Sequence, residues 1–334
     1  MPPIELVTRR IVIQRTVAAA WLGWGAELVS AATAVWPSRP IHLIVVYPVG
    51  GVSDVIARAL AQQLAALLGV AVVVENHAGT GGSSGMTALA SAKPDGHTLA
   101  FSAITPLSLY PLLAKVKYEP WKDIVPLAGV MNTPALLVGT QALDGETFAD
   151  VLAPPHPRAA SLRWATTGFG TTGHMVLEQV RLATGLPISH IPYKGGASQL
   201  NDALAGHFEL LSTNAGAAQL AYIKLGKLKP LAVGAPSRLD SLPAVPTFDE
   251  LGLPRANLSS LFGLFAPAGV PGSVLDRLNS AVNQVLQQAE MRALLAANDS
   301  LPLGGSPASF ASRIRVESEN NRRLIEATHM KRID

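Results

Sequence analysis

No cysteine occurs among the 334 residues. That excludes disulfide frameworks, thiolate metal sites and cysteine nucleophiles. Charge is also scarce: charged residues are 15% of the chain, and 26 Lys and Arg against 23 Asp and Glu leave a formal net charge of +3. No basic run and no interleaving of aromatic with basic residues is present, so no nucleic-acid partner is expected. Aromatic residues reach only 5%. Beyond residue 36 no apolar run approaches the roughly 20 residues that a membrane-spanning helix needs. What is abundant is apolar: 49% of the chain, together with 29 Gly and 25 Pro. This is a packed chain with many turns, too apolar for disorder, and its length suits roughly two domains of about 150 residues each.

The amino terminus has the layout of a secretory signal peptide. Arg9, Arg10 and Arg15 precede a mostly apolar stretch from Thr16 to Val35, interrupted by Glu27, and Ala32-Thr33-Ala34 supplies a small-x-small cleavage site. Residues 1–34 are therefore read as a removed segment and the mature chain as exported to the periplasm. The Arg9-Arg10 pair alone does not distinguish the twin-arginine route from the general one.

Short β-branched runs then alternate with helical patterns. Strands are expected at 41–47, 70–74 and 98–102, with a helix capped by Ser53 between the first two and a helix at 86–92 after the loop 79–85. This β-α-β-α-β order predicts a parallel sheet buried on both faces. The pattern restarts with strands at 162–166, 188–192, 208–212 and 228–233 and helices at 173–183 and 197–205. A strand at 261–266, a helix with Val274, Leu278, Val282 and Val285 on one face, and a last helix starting at Ser306-Pro307 complete it. Two α/β units with a return segment predict two lobes: residues 35–138 with 259–334, and residues 139–258. Ligands in such folds gather at the carboxyl ends of strands, where helix amino termini also point.

Two formal motifs tempt other readings. Gly168-Phe169-Gly170-Thr171-Thr172-Gly173 fits G-x-G-x-x-G between a strand and a helix. The next strand, however, ends His190-Ile191-Pro192-Tyr193-Lys194, with no acid to hold a ribose. No nucleotide cofactor is expected; the turn is read as a small-anion site built from backbone N–H groups and hydroxyls. Gly81-Gly82-Ser83-Ser84-Gly85 fits G-x-S-x-G, but no spacing selects an acid and a histidine to serve Ser83. The eight histidines show neither H-x-H nor H-E-x-x-H spacing, so no metal site is expected. His174, opening a helix after the Thr-rich turn, reads more readily as a polar cap or packed support than as a ligand contact.

From Trp36 to near the carboxyl terminus the sequence resembles the Bug (Bordetella uptake gene) family, the extracytoplasmic solute receptors of tripartite tricarboxylate transporters. The resemblance is carried, in the family's order, by Trp36-Pro37-Ser38-Arg39-Pro40-Ile41, by Pro48 to Asp54 (PVGGVSD), by Val73 to Asn76, and by Lys93 to Gly96. It continues through His190 to Gly195 (HIPYKG), Ala205-Gly206, Ala232-Val233, Leu242 to Thr247 with Glu250 to Pro254, and Ala266 to Gly269.

The resemblance implies an α/β fold of the two-lobed periplasmic binding protein type II kind, a Venus flytrap closing on a small carboxylate held by loop backbone and bridging waters. It implies no catalytic residue, no cofactor, a membrane permease as partner, and a monomeric receptor. The ligand groups it implies in the first lobe are Tyr47, Val49, Gly50, Gly51, Ser53, Asp54, Ser102 and Thr105. In the second lobe they are Thr167, Gly170, Thr171, Thr172, His174, Tyr193, Lys194, Gly195, Thr213 and Asn214. Val49 and Val52 stand where the family often has proline and glycine. Thr213 stands where amino-acid-binding members carry aspartate, and a threonine cannot neutralise an ammonium. A ligand-sensing protein acting through a signalling partner, and an enzyme using Ser83 or a nucleotide, are the alternative readings.

Overall fold

The apolar run after Pro40 forms strand β1 (Ile41–Val45) in the computed structural model of the protein. The structure describes residues 36–153, 162–328 and 332, so the expected signal segment lies outside the described residues. Helix α1 (Val52–Leu68) buries Ile56, Leu60 and Leu64 at helical spacing and ends at Gly69, whose φ of 74° is the left-handed cap that glycine favours. Fully burying one such leucine contributes about 2 kcal/mol. Strand β2 (Val72–Asn76), helix α2 (Ser83–Ala90) and strand β3 (Thr98–Ala103) follow. Short helices α3 (Thr105–Ser108) and α4 (Tyr110–Leu113) lead into β4 (Ile124–Gly139).

The second half contains α5 (Phe148–Leu152), β5 (Leu162–Thr166), α6 (Thr172–Thr184), β6 (Ile188–Pro192), α7 (Gly196–Leu204), β7 (Leu210–Asn214), α8 (Ala217–Lys224) and β8 (Lys229–Gly234). The chain returns through β9 (Ser259–Pro267), α9 (Gly272–Gln287), α10 (Ala289–Ala296), β10 (Leu301–Pro302) and α11 (Pro307–Thr328). Ser306 Oγ accepts the Ser309 N–H, so the expected start of the last helix is capped as its sequence suggested.

The expected parallel pairing holds for β2-β1-β3 and for β6-β5-β7. It fails elsewhere. Strand β9 lies antiparallel between β3 and β4, and β4 pairs antiparallel with β7, β8, β9 and β10. The whole is a mixed sheet in the order β2-β1-β3-β9-β4-β7-β5-β6. Burial on both faces holds for β3 but not for the edge strand β2, which is half-buried to exposed. Strand β4 spans both halves: Ile124 to Pro134 pair with β9, and Ala135 to Gly139 pair with β7 and β8.

Strand alternation sorts the second half into two cores. Leu137, Trp164, Leu210 and Leu231 pack on α6 through Val176 and Val180, while Leu136, Ala165, Leu211 and Val233 pack on α7 through Leu200 and Ala203. The first half has its own core around Ile44, Val46, Met86, Phe265 and Phe310. Helix α6 lies close on β7 because residue 173 is glycine: a β-carbon there would stand 2.9 Å from Ser212 O. The same serine satisfies a buried tryptophan, since Trp164 Nε1 donates to Ser212 Oγ, which donates to Gly173 O.

Candidate functional site

Four helix amino termini open on one cavity of about 390 Å³. The cap residues are Gly51 for α1, Thr171 for α6, Gly195 for α7 and Gly216 for α8, and none is capped by its own side chain. Ser53, expected to cap α1, instead sits inside the first turn, buried and lining the cavity. At α8 the first N–H, that of Ala217, is taken by Asn298 Oδ1 at 3.0 Å. At α1, α6 and α7 the first-turn amides keep the free N–H groups every helix start leaves, and each terminus adds about half a positive charge of dipole.

The lining is neutral. Among the described residues no Asp, Glu, Lys, Arg or His side chain faces the cavity. Hydroxyls supply its polarity: Ser53, Thr105, Thr167, Thr171, Thr172, Thr213 and Ser260 line it, with Tyr47. Thr213 is only 4% exposed and its hydroxyl has no side-chain hydrogen-bond partner among the described residues. It lies 3.9 Å from where a β-carbon on Gly196 would stand, beside the first turn of α7. The residue is buried but its hydroxyl borders the cavity beside free amides, where it can exchange a hydrogen bond with a polar atom.

Eleven of the residues expected from the sequence line this cavity: Tyr47, Gly50, Gly51, Ser53, Thr105, Thr167, Thr171, Thr172, Gly195, Thr213 and Asn214. The others lie around it. Val49 is 62% exposed to solvent. Asp54 is buried and organises the first loop: it accepts from Gly50 N at 3.1 Å, from Arg58, and from Asn76 Nδ2 at 2.8 Å. Burial would raise its pKa, but the Arg58, Asn76 and Gly50 hydrogen bonds outweigh that and hold it below the usual carboxylate range. Ser102 is fully buried and donates to Ala103 O. Tyr47 reaches the same knot, bonding to Thr105, Ser102 and the Ala103 backbone, and burial raises its pKa.

Tyr193 turns away and donates to Asp202 Oδ2 at 2.6 Å; burial and that carboxylate push its pKa up to about 12. Lys194 is exposed and outside the lining. Gly170 faces Tyr110 rather than the cavity. His174 lies beneath the loop: its Nδ1 accepts from Gly170 N at 3.2 Å, its Nε2 stands 3.5 Å from Glu178 Oε1, and its ring stacks on His190 at 4.3 Å. His190 Nε2 in turn lies 2.7 Å from Thr166 Oγ1, which donates to Gly168 O. The two imidazoles thus brace the Gly/Thr turn from below. The Ser83 hydroxyl of the formal elbow motif is bonded to Tyr110.

Sequence reasoning missed a second set of lining residues: Leu200, Gly216, Ala217, Ala218, Gln219, Ser260, Phe262, Leu294, Ala297 and Asn298. Helix periodicity from Gly196 would have placed Leu200 one turn along α7. Nothing local marks Leu294 to Asn298, which reach the cavity only through the return segment.

The model of the tripartite tricarboxylate transporter family receptor matches residues 56–330. The chain is 36% identical over 308 residues to Protein BugT of Bordetella pertussis, covering 92% of this chain and 94% of that one. It is similar to the solved periplasmic binding protein BugD (27% identity, TM-score 0.84, 89% of this chain and all of that one). It is likewise similar to Rpa4515 of R. palustris, solved with adipate (28% identity, TM-score 0.84, 89% of this chain and all of that one).

Proposed function

The chain belongs to the family of tripartite tricarboxylate transporter receptors, and from that membership we propose that it is a periplasmic receptor whose cavity binds a small carboxylate and presents it to a membrane permease. The observation that carries this reading is the convergence of uncapped α1, α6 and α7 starts on one neutral cavity. Oriented amides and hydroxyls stabilise an anion without a cationic side chain, and their strength rises as water is excluded.

The lobes of this proposal are residues 35–138 with 259–334, and residues 139–258, with the carboxylate between the α1 loop and the α6 and α7 turns. Release follows lobe opening, and ligand shifts the equilibrium only by its preference for the closed state. The adipate in the Rpa4515 structure supports the carboxylate class. No residue is given a catalytic role, and the receptor acts as a monomer. Export with cleavage near Ala34 completes the assignment; amino-terminal sequencing of the periplasmic protein should start at Val35 or within a few residues. A mature chain retaining Arg9 contradicts it.

Native mass spectrometry of protein purified without denaturation tests the receptor reading. A retained small acid, removed by unfolding and restored on refolding, is expected. A protein that retains none and is not stabilised by any of a broad set of mono-, di- and tricarboxylates is not such a receptor.

A further inference from the structure

The two glycine motifs that carry no chemistry meet in space. Gly81 belongs to the Gly-Gly-Ser-Ser-Gly run of the first half of the chain, Gly170 to the Gly/Thr turn of the second, and one ring separates them. A β-carbon on Gly81 would stand 3.0 Å from Tyr110 Cδ2, and one on Gly170 would stand 2.9 Å from the same atom. The Gly81 position also lies 3.0 Å from Phe169 O, so the two turns touch directly. Both glycines are left-handed, with φ of +63° and +66°. Two missing side chains thus let the edge of the Tyr110 ring enter between the halves.

The ring is held from the first half. Tyr110 opens α4, is 6% exposed, and its hydroxyl is bonded to Ser83 at the start of α2. Leu109 and Leu113 beside it share a small core with Met175 of α6 and Leu324 of α11, against which Phe169 packs. The turn is held from the second half. Gly170 N donates to His174 Nδ1 at 3.2 Å, and Thr171 Oγ1 donates to Gly168 O at 2.8 Å, which fixes the turn to the start of α6. Thr171 and Thr172, next along the chain, line the cavity.

We propose that Tyr110 is a positioning residue for ligand capture: its ring is the seat on which Gly170 lands when the halves close, bringing Thr171 and Thr172 to the cavity. This rests on the receptor reading above and deepens it. The seat is an apolar contact between the halves, whereas the Ser83 bond lies inside the first half and survives opening. Ser83 then has a task other than that of a nucleophile, which is to hold the ring in place.

The distance between the halves in the full mature protein tests this. The chain has no cysteine, so Gln62→Cys on α1 and Ala183→Cys on α6, both exposed, take spin labels alone. Electron-spin distance measurements without ligand, and with saturating succinate or adipate, should show a short-distance, closed population in the wild type. Gly170→Ala puts a methyl group into the ring. Gly185→Ala is its control, because Gly185 has φ of +70° and nothing within 4 Å of the added carbon, so only the backbone strain is matched. Gly170→Ala should lower the closed-to-open ratio at least about tenfold below Gly185→Ala, with similar denaturant midpoints. Equal ratios in the two folded variants, or no closed population in the wild type under any of these conditions, overturns the proposal.

Removing the ring gives the second measurement. Tyr110→Ala should itself lower the ratio, and Tyr110→Phe, which keeps the ring, should lie nearer the wild type; the reverse order overturns the proposal. In the Tyr110→Ala background Gly170→Ala should cost at most about twofold more, since the group it strikes is gone. An effect as large as in the wild type overturns the seat. Retention of a small acid by the purified protein is a separate observable, and it alone decides the receptor reading.

Discussion

Pro48 and Gly195 meet at the cavity so closely that a β-carbon on Gly195 would stand 2.7 Å from Pro48 Cδ and 2.8 Å from Cγ. Pro48 follows β1 and Gly195 follows β6, so the contact joins the loops of the two halves of the sheet. Gly195 also has φ of +143°, a region that side chains rarely adopt. The glycine is thus required twice, by its own backbone and by its neighbour across the cavity.

Gly195→Ala should hold these loops apart. Carboxylate affinity should fall at least tenfold, while unfolding loses only about 1–2 kcal/mol. Calorimetry and denaturant melts on the same preparation separate the two. Wild-type affinity would show that closure does not need the contact.

The neighbouring pair Gly50 and Gly51 makes a sharper comparison. Gly50 has φ of +87° with open space around its missing side chain, whereas Gly51 has φ of −79°, which any residue adopts. Gly50→Val should therefore cost about 1–2 kcal/mol of stability through the backbone. Gly51→Val should leave stability within about 1 kcal/mol but place a side chain at the start of α1, where the anion approaches, and lose most binding. A well-folded Gly51→Val protein with wild-type affinity removes the α1 terminus from the site.

These loops were legible in the sequence because glycine, proline and hydroxyl residues announce turns at strand ends. The Ile41 to Tyr47 run and the helical spacing after it predicted β1 and α1 for the same reason: burial imposes a period. Strand β4 was not legible. Pro126, Gly129 and Pro134 read as breakers, yet the strand absorbs them with register shifts near Pro126 and Gly129. With β4 and β9 unrecognised as antiparallel partners, the route by which Leu294 and Asn298 reach the cavity was invisible. Motif membership also says nothing of side-chain direction, and so Tyr193 and His174 were grouped with residues that face the cavity although their own side chains do not.

His190 makes the fold sensitive to mild acid. Burial, then repulsion from His174 and Arg181, lowers its pKa to about 3. The native imidazole thus stays neutral while the unfolded one takes a proton below pH 6.5, and stability must fall as pH drops from there toward 3. Between pH 6.5 and 5 the loss should be about 1–2 kcal/mol. Glu178, also depressed through His174 and Arg181 despite burial, adds its loss only at lower pH, from the ordinary carboxylate range downward. Denaturant melts from pH 7.5 to 5 should show this slope in the wild type and a shallower one in His190→Gln. Parallel slopes would assign the acid sensitivity elsewhere.

Thr213 tests what the anion-binding neighbourhood selects. The residue is buried beside the first turn of α7, and among the described residues no carboxylate lines the cavity to receive an ammonium. Glu209, four residues earlier, is committed to Arg163: it accepts from that backbone N at 2.8 Å and from the guanidinium at 2.7 Å. An enclosed ammonium would then lose hydration for hydrogen bonds alone, at a cost of at least about 1–3 kcal/mol. Aspartate and glutamate should accordingly stabilise the protein less than succinate does in paired thermal-shift measurements. Thr213→Asp should reverse that order, because its carboxylate supplies the missing counter-charge and repels an added anion. If aspartate shifts the wild-type melt more than succinate does, the threonine does not exclude the ammonium. If Thr213→Asp folds and keeps the wild-type order, residue 213 does not set the choice.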